Sequence, residues 1–167
     1  MGQRIVVMKD GRVQQIADPM SLYDQPANRF VASFIGTPPM NFFEGRIGGS
    51  GDALVFEGPG GLTLPELKEQ RAVLTSWKGK AVTLGLRPEN IGSAVARQQA
   101  DAPLLQATVE VVEPMGSESY VHLRIADTTF VSRVEAHRTF KVGEVAASAV
   151  DLSKSRFFDP QSEARIV

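Results

Sequence analysis

The sequence contains no cysteine and only two histidines among its 167 residues. The absence of cysteine excludes a disulfide framework and a metal site built from thiolates. The histidines, His122 and His137, are too few for a zinc site with three histidine ligands. The composition therefore gives no support for a disulfide-stabilised domain or for a histidine-rich metal centre.

Long apolar runs and an excess of one charge are also missing. No run approaches the roughly 20 apolar residues that a membrane-spanning helix requires, and residues 5–8 are too short for a signal segment. The net charge is −1, and aromatic residues make up 7% of the chain. Because nucleic-acid-binding domains carry basic patches and stacking aromatics, we expect no nucleic-acid partner. The length of 167 residues is enough for one domain or two small ones, and a hydrophobic content of 43% is enough for a core.

The first part of the chain has the pattern of a hairpin followed by two short helices. The apolar residues 5–8 predict a strand, and the Asp-Gly pair ending at Gly11 predicts a tight turn. Asp18, which precedes a proline, predicts the N-cap of one helix, and Asn28 predicts the cap of another. The Thr-Pro-Pro sequence at residues 37–39 predicts an extended linker after the helices.

Short apolar runs separated by glycine-rich turns follow this linker. They predict strands at residues 53–56, 62–64, 81–86, 106–112, 119–125, 129–134 and 145–150. Residues 65–77 are ambiguous but fit an amphipathic helix, and residues 98–103 predict a loop. Many short strands at about ten-residue spacing predict a small β-barrel or sandwich.

Four blocks of the sequence carry a resemblance to a known family. They are the hairpin and helices at residues 4–47, Arg87-Pro88-Glu89-Asn90 after a strand, residues 109–120, and Phe157-Phe158-Asp159-Pro160. In this order, they resemble the C-terminal region of the ATP-binding subunit of ABC importers for carbohydrates or glycerol phosphate, the maltose-importer ATPase family. The blocks span nearly the whole chain.

The resemblance implies a fold, a division of the chain and a function. Residues 1–37 would be the C-terminal end of the nucleotide-binding domain, and residues 38–167 a TOBE or OB-like regulatory domain. The implied fold is mostly β, a small OB-like barrel or sandwich with a short N-terminal α+β segment. The implied role is non-catalytic regulation and dimerisation during uptake of a sugar, polyol or glycerol phosphate.

The resemblance also implies partners and a location. The partners are a second copy of the chain, the permease subunits and, in some relatives, a regulatory protein or a small effector. The location is the cytoplasmic face of the inner membrane, where the transporter complex holds the subunit peripherally. A stand-alone barrel that senses an oxyanion or effector stays open as an alternative function.

The motifs of ATP hydrolysis are missing from this chain. A phosphate-binding loop needs Gly, four residues, Gly-Lys and then Ser or Thr. Gly79 and Lys80 are followed by Ala81, and Leu74 occupies the position of the first glycine. The LSGGQ-type signature of the family is absent too. We therefore expect no catalytic, cofactor or metal site here, with ATP and Mg²⁺ bound only in an upstream domain.

Two turns hold the candidate regulatory or interface residues. Pro88 fixes its own φ and holds Arg87 extended, with Glu89 beyond the turn. The simpler interpretation is a structural corner in which Arg87 pairs with a carboxylate. The functional interpretation is a contact with the partner subunit or the ATPase domain. The same two interpretations, a hairpin turn or a contact, apply to the second turn. The candidates are Arg87, Pro88, Glu89, Gly116, Ser117 and Glu118.

Two other combinations of side chains have simpler interpretations. Ser117, His122 and Asp127 are the residue types of a catalytic triad, but geometry defines a triad, not residue type. The three glutamates of residues 110–118 fit solvated charges that discourage strand pairing at a sheet edge. Neither combination predicts a catalytic site.

Overall fold

The computed structural model describes residues 3–49, 53–65, 70–99 and 101–167. Within these ranges the chain forms a two-stranded hairpin, a five-stranded sheet, a four-stranded sheet and short helices. The expectation of a mostly β fold with a short N-terminal α+β segment is confirmed. Part of the ambiguous segment at 65–77, residues 66–69, lies outside the described residues.

The N-terminal segment contains the hairpin and two helices, as its sequence predicts. The strands are β1 (Ile5–Lys9) and β2 (Arg12–Ala17), and the helices are α1 (Pro19–Asp24) and α2 (Arg29–Phe34). Gly11 has a φ of 73°, the left-handed conformation that the tight turn requires.

Both predicted helix caps are present. The Asp18 carboxylate accepts hydrogen bonds from the amides of Met20 and Ser21 at 3.1 and 3.0 Å. The Asn28 side chain accepts one from the amide of Val31 at 2.9 Å. Each cap binds backbone N–H groups that have no partner within their own helix.

The five-stranded sheet is antiparallel, with the strand order β11–β6–β3–β4–β5. Its strands are β3 (Asn41–Gly48), β4 (Val55–Glu57), β5 (Thr63–Pro65), β6 (Ala81–Leu86) and β11 (Arg156–Phe158). The short helix α3 (Arg71–Leu74) lies between β5 and β6 in the chain. The pairing of the last strand, β11, with β6 joins the end of the chain to the centre of the fold.

The four-stranded sheet is a meander extended by one strand, in the order β10–β7–β8–β9. Its strands are β7 (Leu104–Pro114), β8 (Glu118–Ile125), β9 (Thr128–Glu135) and β10 (Val145–Ala149). Strand β7 is longer than predicted and contains a bulge where its register against β8 shifts. The bulge breaks the alternation of apolar residues by which strand length is judged from sequence.

One hydrophobic core joins the two larger sheets. The rings of Phe43, on β3, and Phe130, on β9, lie 5.1 Å apart between their centroids. The buried Asn41 side chain bridges the sheets by donating to the carbonyl of Val131 at 2.8 Å and accepting from its amide at 2.9 Å. An amide side chain thus satisfies the backbone of edge strand β9.

One helix was not predicted from the sequence. Helix α4 (Ala94–Gln98) begins at Ser93, whose hydroxyl accepts from the amide of Ala96 at 3.3 Å. The carboxylate of Glu135 accepts from the amide of Ala94 at 2.8 Å. Because Glu135 lies on another element, tertiary contact supports this short helix.

No helix in the described part of the chain is long and apolar enough to cross a bilayer.

Candidate functional site: the arginine junction

Arg87 follows strand β6 directly and is only 3% exposed. Its backbone is extended, with φ −70° and ψ 146°, as expected for a residue before proline. Pro88, Glu89 and Asn90 then form one 3₁₀ turn, and the amide of Asn90 donates to the Arg87 carbonyl at 2.9 Å. The turn leads the backbone away while the Arg87 side chain reaches the two N-terminal helices.

The Arg87 guanidinium binds the carboxyl-terminal ends of both helices. Nη1 donates to the carbonyls of Ala32 and Ile35, and Nη2 donates to the Tyr23 carbonyl at 2.8 Å. The last carbonyls of a helix lack intrahelical partners and form the negative end of its dipole. Neither helix has a basic residue in its own last turn. Arg87 therefore provides the positive charge and the donors that both helix ends lack.

The ring of Tyr23 covers this guanidinium and binds the turn that follows it. Cζ of Arg87 lies 3.9 Å from the ring centroid, and the Tyr23 hydroxyl donates to the Glu89 carboxylate. Burial raises the pKa of Tyr23 to about 12, and the hydrogen bond to Glu89 adds to the shift. Burial lowers the pKa of Arg87, but a guanidinium stays protonated in proteins.

The acceptors of Arg87 differ from the carboxylate that the structural-corner interpretation expected. Among the described residues, its hydrogen-bond acceptors are backbone carbonyl oxygens, and its stacking partner is an aromatic ring. Glu89 instead binds the tyrosine that covers the guanidinium. The corner is thus a docking contact between the sheets and the N-terminal segment.

Two more arginines bind the residues that follow Tyr23. Nε of Arg156 donates to the Asp24 carbonyl at 2.8 Å, and Nη1 of Arg165 donates to Oε1 of Gln25. Three successive residues at the end of α1 therefore each meet a different arginine. We call residues 23–25 with their three arginines the arginine junction.

The C-terminal tail, residues 159–167, closes the junction from the other side. The Arg29 amide donates to the Glu163 carbonyl, and the Arg165 amide donates to the Ala27 carbonyl, both at 2.9 Å. The Ile166 amide donates to the Phe157 carbonyl at 2.9 Å. The tail thus hydrogen-bonds to both the N-terminal segment and β11, so it joins them.

The second candidate turn lies between β7 and β8, where its sequence predicts a hairpin. Gly116, with a φ of 92°, and Ser117 form the turn. The Glu118 carboxylate lies 3.5 Å from Nε of Arg133. This ion pair joins the second candidate turn to strand β9.

Sequence reasoning did not single out Tyr23, Arg156 or Arg165. One available signal was a capped helix, α1, whose last turn lacks a basic residue. Another was an arginine directly before the apolar pair Phe157 and Phe158 in a short buried strand. The first signal indicates helix-end carbonyls that need a positive partner, and the second indicates an arginine that needs acceptors. Each partner must come from a distant part of the chain.

The histidine considered for catalysis has another partner. Nε2 of His122 lies 3.1 Å from the Glu113 carboxylate, across the β7–β8 pair. In the described ranges, no hydrogen bond joins His122 to Ser117 or Asp127. The same ranges contain no group of three His, Cys, Asp or Glu side chains placed to hold a metal ion.

Two protein-family models match the chain. The MalK OB fold domain matches residues 36–91, and the TOBE domain matches residues 84–158. Together the two matches extend over residues 36–158, so most of the chain is similar to these two domains. The two matched regions overlap at residues 84–91, so both include Arg87 and the turn that follows it.

Curated relatives align with nearly the whole chain. The oligosaccharides import ATP-binding protein MsmX of Bacillus subtilis is 38% identical over 167 residues, which are 99% of this chain and 45% of MsmX. The trehalose/maltose import ATP-binding protein MalK of Thermococcus litoralis is 39% identical over 163 residues, 95% of this chain and 43% of MalK. The chain thus spans less than half the length of these relatives.

A solved structure shares the fold. The molybdate-bound form of the cytoplasmic molybdate-binding protein ModG aligns with a TM-score of 0.54 and 20% identity. The alignment covers 72% of this chain and 96% of that protein. At this identity the likeness shows a common OB-like architecture and carries no statement about ligands.

Proposed function

We propose that the chain is the regulatory and dimerisation region of an ABC importer ATP-binding subunit. Its transporter would take up a sugar, a polyol or a glycerol phosphate. The observation that carries the proposal is the alignment of 95–99% of the chain with proteins named as sugar-import ATP-binding proteins. Both matching domain models lie within that aligned region.

Catalysis belongs, in this proposal, to a nucleotide-binding domain that precedes these residues. The chain has neither the phosphate-binding loop nor the LSGGQ-type signature. ATP and Mg²⁺ would be bound by the upstream domain, and this region would hydrolyse nothing. An assay of ATP hydrolysis by the isolated chain is expected to give no activity above buffer.

The hairpin supports the division at residue 37, where the nucleotide-binding domain would end. One side of it carries apolar side chains that are half exposed: Val6, Met8, Val13 and Ile16, at 50, 54, 53 and 50%. A lone two-stranded sheet is marginally stable, and exposed apolar patches mark contact surfaces. Upstream residues of the nucleotide-binding domain would cover this side of β1 and β2.

The arginine junction gives the proposal a physical mechanism. Three arginines attach the end of α1 to the five-stranded sheet and the C-terminal tail, so the N-terminal segment and the regulatory domain move together. A contact between two copies would raise the effective concentration of the two ATP-binding halves. A symmetric contact needs only one self-complementary surface. A closing movement of one ATP-binding half would thus be transmitted through the arginine junction to the contact between the two copies.

The partners follow from this role. They are a second copy of the subunit, the permease subunits and, where transport is regulated, a regulatory protein or small effector. The subunit would sit at the cytoplasmic face of the inner membrane through the transporter complex. Arg87 is buried and would act inside the chain, whereas Glu118, near an exposed turn, is the better candidate for contact with another molecule.

Light scattering over a concentration series tests the dimerisation role. We expect the mass to rise from 18.1 kDa toward twice that value with concentration. The variant Glu118→Lys should weaken the dimer if the β7–β8 turn lies in the contact. Asp127→Lys, in the β8–β9 turn, is the matched control. A constant mass of 18.1 kDa at every concentration would contradict a dimerisation role for these residues.

A further inference from the structure

A cavity of about 590 Å³ opens beside the arginine junction, between α3, β11 and the C-terminal tail. This volume lies within the range of pockets that hold small molecules. Its wall combines cationic, hydrogen-bonding and apolar side chains, among them Arg156, Arg165, Gln70, Ser153, Val73 and Phe157. No Asp or Glu side chain of the described residues lines it, and the C-terminal residue, Val167, lies at its wall.

The two arginines of the cavity keep many donors free of described protein acceptors. Each guanidinium has five N–H groups. In the described part of the chain, the pair donates three hydrogen bonds, to the carbonyls of Asp24 and Ser155 and to Oε1 of Gln25. Nε of Arg165 is buried and has no acceptor there. The remaining N–H groups of the two guanidiniums can form paired hydrogen bonds with an oxyanion.

The charges of Arg156 and Arg165 also act on each other. Burial lowers the pKa of Arg156, and the charge of Arg165 lowers it further. The Asp24 carboxylate opposes this shift, but it lies outside the cavity wall. An anion between the two guanidiniums would relieve their repulsion.

We propose that this cavity binds a small organic anion, whose phosphate or carboxylate group lies between Arg156 and Arg165. The planar guanidinium fork matches both kinds of oxyanion through paired hydrogen bonds. Ser153 supplies a further polar contact for the body of the ligand, whereas the Gln70 amide is already hydrogen-bonded to Ser155. Val73 and Phe157 supply apolar contacts on the remaining wall.

Such a ligand would connect three parts of the chain. Gln25 lies at the end of α1, Arg156 on β11 and Arg165 in the C-terminal tail, and all three line the cavity. Binding would stabilise the docked position of the N-terminal segment over any other position. The link from this effect to transport rests on the proposed function, whereas the binding itself does not.

Titration calorimetry of the 167-residue chain tests the site with three probes of similar size. They are glucose 6-phosphate, gluconate and glucose, compared at constant ionic strength. We expect one site per chain for at least one of the anions, and no binding of glucose. Binding of only one anion identifies the preferred oxyanion group. No binding of either anion up to about 10 mM, or equal binding of glucose, would overturn the proposal.

A pair of variants separates charge from cavity shape. Val73→Glu adds a carboxylate to the wall and leaves both arginines in place, so anion affinity should fall at least about tenfold. Val73→Gln is the neutral control of nearly the same size and should bind within about threefold of the parent chain. Thermal melting confirms that both variants are folded. Equal affinities for the two variants would contradict an anion site.

Arg165→Lys tests the role of the guanidinium fork. It keeps the positive charge and removes the paired donors, so affinity for the bound anion should fall about tenfold. Unchanged affinity would exclude Arg165 from the site. None of these measurements depends on dimerisation or transport. A failed titration would therefore leave the proposed function standing, and a monomeric chain would leave the anion site standing.

Discussion

Arg87 holds Tyr23 by two contacts at once. Its guanidinium carbon lies 3.9 Å from the centre of the tyrosine ring, and its Nη2 donates to the tyrosine carbonyl at 2.8 Å. One contact fixes the side chain of the residue and the other its backbone. The end of α1 is therefore held in position as well as orientation against the sheets.

Replacing this arginine should destabilise the whole chain. Arg87→Ala would remove the donors to three helix-end carbonyls and the stacking on Tyr23, and we expect a loss of about 2–4 kcal/mol in the free energy of unfolding. Urea unfolding followed by circular dichroism measures the change. Arg124→Ala, which removes an exposed pair with Glu110, is the control and should cost less than about 1 kcal/mol. Equal losses would contradict a special role for Arg87.

Gly36 should resist substitution because the junction crowds it. Its φ is 114°, and an added Cβ would lie 3.0 Å from Nη1 of Arg87 and 3.1 Å from the Tyr23 ring. Gly116 also has a positive φ, 92°, but its Cβ would meet nothing within 4 Å. We expect Gly36→Ala to cost about 1–2 kcal/mol more than Gly116→Ala in unfolding free energy. If the two variants lose equal stability, the crowding at Gly36 is unimportant.

Stability should fall at high pH because Tyr23 is held neutral. Burial raises its pKa from 10.0 to about 12 in the folded chain. The folded state therefore holds the proton more tightly, so this contribution is complete below pH 10 and is lost as the pH rises toward 12. Urea unfolding at pH 9, 10 and 11 measures the trend. Tyr23→Phe should flatten it over this window, and an unchanged slope would contradict the assignment to Tyr23.

Asn41 should be needed to hold the two sheets together. Asn41→Ala would leave the partly buried amide and carbonyl of Val131 without their side-chain partner, at a cost of about 2 kcal/mol in unfolding free energy. Asn41→Asp keeps the acceptor and loses the donor, so it separates the two bonds. Hydrogen exchange at the Val131 amide should accelerate in the alanine variant. Unchanged exchange would show that this bond does not protect the edge of β9.

The exposed side of the hairpin should tolerate polar residues in this chain alone. Ile16 is half exposed, so Ile16→Thr should change the unfolding free energy of the chain by less than about 0.5 kcal/mol. In a longer protein that includes the proposed upstream domain, the same change should lower the melting temperature. Leu22→Thr, at a fully buried position, is the control that should destabilise both. Tolerance of Ile16→Thr in the longer protein would contradict the proposed contact.

The sequence predicted much of the fold but little of the junction. Turn and cap signals at Gly11, Asp18 and Asn28 act through neighbouring residues, so they could be interpreted directly. The same is true of the alternating apolar residues in most of the strands. Helix α4 was not predicted, because its stabilising contact comes from Glu135, far along the chain. Arg87 was predicted as a candidate site residue, but the helix-end carbonyls and the tyrosine ring that it contacts were not predicted.

The sequence by itself determined the local elements, the mostly β class and the resemblance to a known family. These depend on residues close together in the chain and on motif order. Only the tertiary structure decided what Arg87 does, because its acceptors lie 52 to 64 residues before it. It also decided that Arg156 and Arg165 share one cavity with Gln25. Arg165 and Gln25, 140 residues apart, meet there because the last strand and the tail return to the helices that began the fold.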